Sequence, residues 1–112
     1  MADEGIVAKL SGVSFYQENL KDLKEGEELD FVEEPNNQFD RNAIRVCSKA
    51  GKTIGYMKRD SKVRDYIKKY LHDVNYGIKA TICLVYGHDK GTIGVTIRIM
   101  RCLKDLYKKE VN

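Results

Sequence analysis

The most informative residue pair in the sequence is Phe39 and Asp40, an aromatic ring beside a carboxylate in the segment EEPNNQFDRNAI, residues 33–44. This segment contains the only proline of the chain and three asparagines, and both residue types favour turns. An apolar run that is typical of a strand follows directly. A ring offers a flat apolar surface, and a carboxylate offers hydrogen-bond acceptors. The segment therefore predicts a turn that presents specific side chains.

Other local motifs do not support catalysis or metal binding. The run AGKT resembles part of a phosphate-binding loop, but that loop needs a glycine at the position of Val46. A hairpin turn explains the glycines of GHDKGTIG better than a phosphate cradle does. His72 and His88 have no cysteine or histidine at metal-ligand spacing. No paired carboxylates or Ser/His/Asp grouping stand out. We therefore expect a protein that is not an enzyme and that has no metal or cofactor.

Length and composition predict one ordinary domain. A chain of 112 residues can bury a core without disulfides or metal. No apolar run approaches the length of a membrane span, and the N-terminal MADEGIVAKL lacks the layout of a signal peptide. We expect a cytoplasmic protein, or a nuclear one in a eukaryote, with no membrane partner. Cys47, Cys83 and Cys102 each lie in an apolar run and are expected to be reduced, buried thiols.

Charge is divided unevenly along the chain. Residues 1–40 contain 3 Lys/Arg and 11 Asp/Glu, a balance of −8, whereas residues 41–112 contain 17 and 6, a balance of +11. Such a division is compatible with a surface that attracts polyanions. It is equally compatible with a dipolar surface that has no ligand, and charge alone does not separate these two interpretations.

Hydrophobic periodicity predicts six strands and one main helix. The helix is predicted over residues 61–74, with Ser61 as its cap. Four strands precede the helix and two follow it, with short turns between several of them. Short strands and a single convincing helix predict a mainly β fold, a partly closed six-stranded barrel. The predicted strands are GIVAKLSGVSFY, ELDFVEE, NAIRVCS, KTIGYMK, YGIKATICLVY and GTIGVTIRIM.

Apolar faces of these elements define the candidate core. Two short helices are also predicted, one turn in QENLKDLKEGEE that ends at Gly26 and one in the C-terminal CLKDLYKKEVN. The expected inward face of the main helix is Val63, Tyr66, Ile67, Tyr70, Leu71 and Val74. The expected inward residues of the last two strands are Ile78, Ala80, Ile82 and Leu84, then Ile93, Val95, Ile97 and Ile99.

The segment EEPNNQFDRNAIRV, followed by GKTIGYMKR, resembles the HIRAN domain family. That family shares a Pro-Asn-Asn turn, an aromatic-Asp-x-Asn-Ala-Ile run that enters a strand, and a later Gly-aromatic or Gly-His step followed by basic residues. The upstream GVSFY and the downstream helix also occur in the family's order, so the resemblance spans roughly residues 8–100. It implies an OB-like barrel, which occurs as a module on Swi/Snf-type DNA translocases and in small stand-alone proteins.

The resemblance also implies a surface that holds the 3′ end of single-stranded DNA. Phe15 and Phe39 would stack on bases, and Asp40 would accept a hydrogen bond from the terminal 3′-hydroxyl. Lys58 and Arg59 would meet phosphate. The complete expected set of nucleic-acid-binding residues is Phe15, Asn37, Phe39, Asp40, Tyr56, Lys58 and Arg59. A translocase or another DNA-processing protein is the implied protein partner.

Structural explanations for the same residues stay open at this stage. Phe15 and Phe39 could be core aromatics, and Asp40 could cap backbone groups in an Asx-turn. Lys58 and Arg59 could form the solvated approach to the helix.

Two departures from the family pattern also bear on function. Ser14 stands where the characterised animal domain of this family has an arginine. The turn GHDKGT also lacks the aromatic that the animal domain presents near that region. The alternative function is a protein-interaction or scaffold module that keeps the fold without DNA-end recognition. A C-terminal stripe of Leu103, Leu106 and Tyr107 could then pair two chains, and the oligomeric state is open.

Overall fold

The computed structural model describes residues 5–59 and 62–104, which form one curled antiparallel sheet with few helices. The strand order is β1-β6-β5-β2-β3-β4. The strands are β1 (Ile6–Lys9), β2 (Glu28–Glu33), β3 (Ile44–Ser48), β4 (Thr53–Tyr56), β5 (Tyr76–Tyr86) and β6 (Gly94–Leu103). The helices are α1 (Gln17–Leu20) and α2 (Lys62–Leu71), with 3₁₀ turns at Val13–Phe15 and His88–Lys90.

The sheet curls until its two edge strands approach each other at one end. Ser11, just beyond β1, pairs with Tyr56 of β4 through two backbone hydrogen bonds of 2.8 and 2.9 Å. This short bridge joins the first and last strands in the sheet order. The prediction of a mainly β, OB-like, partly closed barrel of six strands is therefore confirmed.

The core lies inside the curled sheet and beneath α2. Residues of β6 alternate between the two faces, and Ile93, Val95, Ile97 and Ile99 are all buried, as their spacing predicts. Ile67 of α2 is fully buried against them. Alternation with period two in β6 and helical spacing in α2 thus place apolar side chains in one continuous cluster.

Two residues expected in the core lie outside it. Leu84 is exposed because the register of β5 against β6 shifts between Ile82 and Leu84, which breaks the alternation of faces. Val74 is 86% exposed because α2 ends at Leu71. Asp73 then forms a turn, and its carboxylate accepts hydrogen bonds from the backbone amides of Asn75 and Tyr76 at 2.7 and 3.0 Å.

The N-terminal segment is more irregular than its sequence suggests. The first predicted strand, residues 5–16, is regular only over β1, because Gly12 adopts a left-handed φ of 68° and the chain continues into a 3₁₀ turn. The predicted helical turn is α1, but it ends at Leu20 and not at Gly26. Gly26 lies in the approach to β2, where its amide donates to Ile82 O at 2.8 Å.

The cysteines differ in burial, although all three are free thiols on strands. Cys47 is buried in β3, Cys83 is partly buried in β5, and Cys102 is exposed near the end of β6. The expectation of three buried thiols is therefore wrong for Cys102, which lies beyond the part of β6 that β1 covers. The predicted helix cap Ser61, Leu106 and Tyr107 lie outside the described residues, as does most of the predicted C-terminal helix. Within the described part of the chain, no helix is long and apolar enough to cross a membrane.

Candidate nucleic-acid interface

The loop between β2 and β3, residues 34–43, presents Phe39 to solvent. Glu34 N donates to Ala43 O at 3.1 Å and closes the loop at its base. The side-chain oxygen of Asn37 then accepts hydrogen bonds from the amides of Phe39 and Asp40 at 2.9 and 3.1 Å. These contacts fix the backbone while leaving the Phe39 ring 85% exposed. The ring is therefore not a core aromatic, and a base could stack on it.

Asp40 beside this ring makes three hydrogen bonds through its carboxylate. Oδ1 accepts from Asn42 N at 3.0 Å, the contact of an Asx-turn, and from Arg64 Nη2 at 3.0 Å. Oδ2 accepts from Arg64 Nη1 at 2.8 Å. The Arg64 hydrogen bonds, together with the Asn42 amide and nearby Arg59, hold the pKa of Asp40 below its ordinary value. The carboxylate is thus ionised at neutral pH, and 21% of the side chain reaches solvent.

Lys58 and Arg59 follow β4 and are both exposed. The Arg59 guanidinium donates to the carbonyl of Phe39 at 2.8 Å, and its Nε lies 3.9 Å from Asp40 Oδ2. Arg59 therefore belongs to the Phe39 loop spatially as well as to the approach to α2. Its side chain is still 70% exposed, which leaves the guanidinium accessible to a phosphate.

Tyr56 at the end of β4 lies between the two regions that present exposed rings. Its hydroxyl donates to the carboxylate of Glu34 at 3.0 and 3.2 Å, and its ring lies 6.3 Å from that of Tyr16. Burial, reinforced by Glu34 and Tyr16, raises the pKa of the Tyr56 hydroxyl well above its ordinary value. The hydroxyl therefore stays protonated and turned toward Glu34.

Glu34 ties the Phe39 loop to the sheet. Besides Tyr56, its carboxylate accepts hydrogen bonds from Asn37 Nδ2 and Arg45 Nε, each at 3.0 Å. Burial acts to raise the pKa of Glu34, but the hydrogen bonds from Asn37, Tyr56 and Arg45 outweigh it and lower the pKa overall. One ionised carboxylate thus orients both Asn37, which shapes the loop, and Tyr56.

Phe15 occupies the second exposed position, on the 3₁₀ turn after Gly12. Its ring is 83% exposed, so Phe15 is not a core aromatic either. The turn is fastened by Gln17, whose Nε2 donates to Val13 O at 2.9 Å and to Ile93 O at 3.0 Å. Gln17 Oε1 in return accepts from Ile93 N at 2.7 Å. The neighbouring Ser14 is exposed, so the turn carries no cation at the position where the animal domain has an arginine.

The structure brings most of the predicted residues together. Asn37 and Arg59 each contact both Phe39 and Asp40. Tyr56 reaches Asn37 through Glu34. Phe15 is linked less tightly, through the neighbouring Tyr16 ring beside Tyr56. Lys58 is exposed one residue before Arg59.

Four residues that shape this surface were missed by the sequence analysis: Tyr16, Gln17, Glu34 and Arg64. A signal existed for Arg64, which lies three residues before Ile67 and seven before Leu71 on the inward face of α2. A cation on that face is a sign of a buried carboxylate partner. No comparable signal marked Gln17, because its partner Ile93 is 76 residues away.

The curled sheet, bridged between its edge strands at one end, defines a small OB-like domain, a class whose members bind oligonucleotides or oligosaccharides. The chain belongs to the HIRAN domain family, whose model matches residues 5–104. That family is one with nucleic-acid binding among its members. The resemblance drawn from the sequence is therefore confirmed.

Solved structures show the same fold. The crystal structure of the HIRAN domain of human HLTF matches with a TM-score of 0.64 at 16% identity, covering 94% of this chain and 81% of that chain. The NMR structure of the HLTF HIRAN domain matches with a TM-score of 0.54 at 16% identity, covering 95% and 85%. A protein from Lactobacillus plantarum matches with a TM-score of 0.59 at 16% identity, covering 83% and 90%. No curated protein sequence matches significantly.

Proposed function

We propose that this chain binds single-stranded DNA and prefers a free 3′-hydroxyl end. The observation that supports this most directly is the arrangement at residues 39 and 40, where an almost fully exposed ring adjoins an ionised carboxylate. A ring can stack on any base and so binds a single strand without reading its sequence. A carboxylate can accept a hydrogen bond from a terminal hydroxyl, whereas it repels a terminal phosphate.

Each residue of the surface has a distinct part in this proposal. Phe39 stacks on the terminal base, and Asp40 accepts a hydrogen bond from the 3′-hydroxyl through Oδ2. Among the described residues, Oδ2 accepts a single short hydrogen bond, from Arg64, so it can accept another. Phe15 stacks on a neighbouring base. Lys58 and Arg59 contact phosphates. Asn37 shapes the loop, and the ring of Tyr56 forms the floor between the two turns.

The expected affinity is modest. Stacking contributes about 1–3 kcal/mol per base, and two or three phosphate contacts give a log–log salt slope of about −1.5 to −2 for a single strand. Together these terms correspond to a Kd of about 1 μM, or roughly −8 kcal/mol. Such a module acts best when joined to other DNA contacts, so a translocase or another DNA-processing enzyme is the partner we propose.

Fluorescence anisotropy with end-labelled single strands tests the proposal. Three oligonucleotides of one sequence would carry a 3′-hydroxyl, a 3′-phosphate or a 5′-phosphate with a blocked 3′ end. We expect the 3′-hydroxyl strand to bind most tightly, and we expect Asp40→Asn to remove the difference between ends. Asp89→Asn, on the exposed hairpin between β5 and β6, is the matched control and should behave like wild type.

Equal affinity for all three strands, unchanged by Asp40→Asn, would eliminate end recognition and leave general single-strand binding. No binding to any strand would favour the alternative, a protein-interaction module that keeps the fold only. The two exposed rings support the DNA-binding proposal, because each is more than 80% exposed and offers a flat surface on which a base can stack.

A further inference from the structure

Arg64 is a buried cation directly beneath the proposed DNA-end site. It is 5% exposed, and its guanidinium donates to both carboxylate oxygens of Asp40 at 2.8 and 3.0 Å. The same Nη1 also donates to the carbonyl of Arg59 at 2.8 Å. Arg64 thus joins the Phe39 loop, the approach to α2 and α2 itself. A planar guanidinium can hold a carboxylate by two parallel hydrogen bonds, which fixes the direction of the remaining lone pairs.

The pairing changes the charge that a DNA end would meet. Asp40 alone would present one negative charge beside the Phe39 ring and would strongly disfavour a terminal phosphate. Paired with Arg64, the two groups together are neutral, and the exposed Arg59 lies 3.9 Å from Asp40 Oδ2. Among the described residues, Arg64 and Arg59 therefore weaken the repulsion that the Asp40 carboxylate would exert on a terminal phosphate. A phosphate at the DNA end would meet a compensated carboxylate and a neighbouring cation.

We propose that Arg64 determines the end selectivity of this surface by limiting the difference in affinity between strands with a 3′-hydroxyl end and strands with a 3′-phosphate end. This inference rests on the proposed binding of single-stranded DNA. Arg64 is buried and does not touch the DNA, so it is a positioning residue that acts through Asp40. Its charge reduces the repulsion of a terminal phosphate, and its two hydrogen bonds hold the Asp40 carboxylate in place. The ligands that the site accepts are consequently strands with either terminus, with the hydroxyl preferred.

Three substitutions separate the effect of the Arg64 charge from the effect of its planar guanidinium fork. Arg64→Lys keeps the charge and loses the fork, Arg64→Gln keeps a donor and loses the charge, and Arg64→Met loses both. The measured quantity is the ratio of the Kd for the 3′-phosphate strand to that for the 3′-hydroxyl strand. We expect a ratio in Arg64→Lys close to that of wild type. In Arg64→Gln and Arg64→Met we expect the ratio to rise by about threefold to tenfold, because one screening charge has gone.

A purely structural role would group the variants differently. Loss of the fork would then place Arg64→Lys with Arg64→Met, and binding of both strands would weaken in parallel. Binding is measured at 10 °C, and circular dichroism at that temperature checks that each variant is folded. The double variant Asp40→Asn/Arg64→Gln removes both charges and avoids an unpaired ion. Because the carboxylate that repels a terminal phosphate is gone, its ratio should be lower than that of Arg64→Gln.

The outcomes distinguish this inference from the proposed function. If wild type binds the strands and the ratio is the same in all Arg64 variants, the inference is overturned while the function stands. If the ratio falls in Arg64→Gln, the sign of the electrostatic effect is wrong and the inference is likewise overturned. If wild type binds none of the strands, the proposed function fails, and the inference fails with it.

Discussion

The two turns that present exposed rings are held in place by different chemistry. The Phe39 loop is supported by ions, with Asp40 paired to Arg64 and Glu34 paired to Arg45. The Phe15 turn is supported by the neutral amide of Gln17, which bonds the backbone on both sides. Both rings end up more than 80% exposed, so the same presentation is reached by charged and by neutral support.

This difference assigns separate tasks to the two turns within the proposed function. Fixed charges near Phe39 can distinguish one DNA terminus from another, because terminal hydroxyl and phosphate groups differ in charge. A neutral turn can offer only stacking, which is the same for terminal and internal bases. We therefore expect end recognition at the Phe39 loop and sequence-independent stacking at the Phe15 turn.

The largest expected effect is on stability, and it differs between the two supports. Arg64→Met leaves the Asp40 carboxylate without its main partner, and removal of one member of a largely buried ion pair is strongly destabilising. We expect Tm to fall by about 10 °C. Gln17→Ala removes three neutral hydrogen bonds to backbone groups, and we expect a smaller fall of about 5 °C. Thermal unfolding monitored by circular dichroism provides both values.

Equal losses of Tm in these two variants would contradict the contrast between charged and neutral support. Lys21→Met is a suitable control for the removal of a cation, because Lys21 forms an exposed pair with Glu18 one turn away in the chain. Exposed ion pairs of this kind contribute little to the free energy of unfolding, so the Tm of Lys21→Met should stay within about 2 °C of wild type.

The next effect concerns affinity and selectivity for single-stranded DNA. Phe39→Ala and Phe15→Ala each remove one stacking surface, and each should weaken binding by about 5- to 100-fold, equivalent to about 1–3 kcal/mol. Only Phe39→Ala should also change the preference for a 3′-hydroxyl end. Neither should lower Tm by more than about 2 °C, because both rings are almost fully exposed.

Anisotropy with the 3′-hydroxyl and 3′-phosphate strands measures both quantities. A change of end preference in Phe15→Ala, or its preservation in Phe39→Ala, would reverse the assignment of tasks to the turns. Val7→Ala is the matched control, since Val7 is another exposed apolar side chain, on β1. It should leave binding unchanged.

The sequence predicted the fold better than it predicted the supports of the site. Alternation in β6 and the spacing of Ile67 in α2 depend only on neighbours along one element, so periodicity identifies them. Leu84 departs from that pattern because a register shift depends on two strands at once. Arg64 was omitted because an apolar pattern does not count a cation that is neutralised by a carboxylate 24 residues away. Family resemblance supplied the candidate contact residues, while the side chains that support them became visible only in three dimensions.

A smaller effect is expected in the dependence of stability on pH. The pKa of Asp40 is lower in the folded protein than in the unfolded chain, where it is about 3.9. The ionised carboxylate therefore stabilises the fold above about pH 4, and this contribution is lost as the pH falls through the depressed folded value. Asp40→Asn should accordingly have a lower Tm than wild type at pH 7, and the gap should narrow toward pH 3. Melting curves at several pH values measure the gap.

The Arg64→Met background provides the control for this pH dependence. There the carboxylate has lost its main hydrogen-bond donor, so the further change Asp40→Asn should alter Tm little at any pH. A gap that persists undiminished at pH 3, or one that is equally large in both backgrounds, would mean that Asp40 stabilises the protein by means other than its pairing with Arg64.

The smallest expected effect comes from giving the neutral turn a charge. Ser14 is exposed beside Phe15, and Ser14→Arg would place a cation there without disturbing the Gln17 hydrogen bonds. One added phosphate contact should make the log–log salt slope of binding more negative by about 0.7 and tighten binding at low salt by a few fold. Because this cation would lie on the Phe15 turn and not on the Phe39 loop, affinity for hydroxyl and phosphate ends should rise equally. Ser14→Gln, of similar size and no charge, should leave the slope unchanged, and a selective gain for one terminus in Ser14→Arg would show that the Phe15 turn also senses DNA ends.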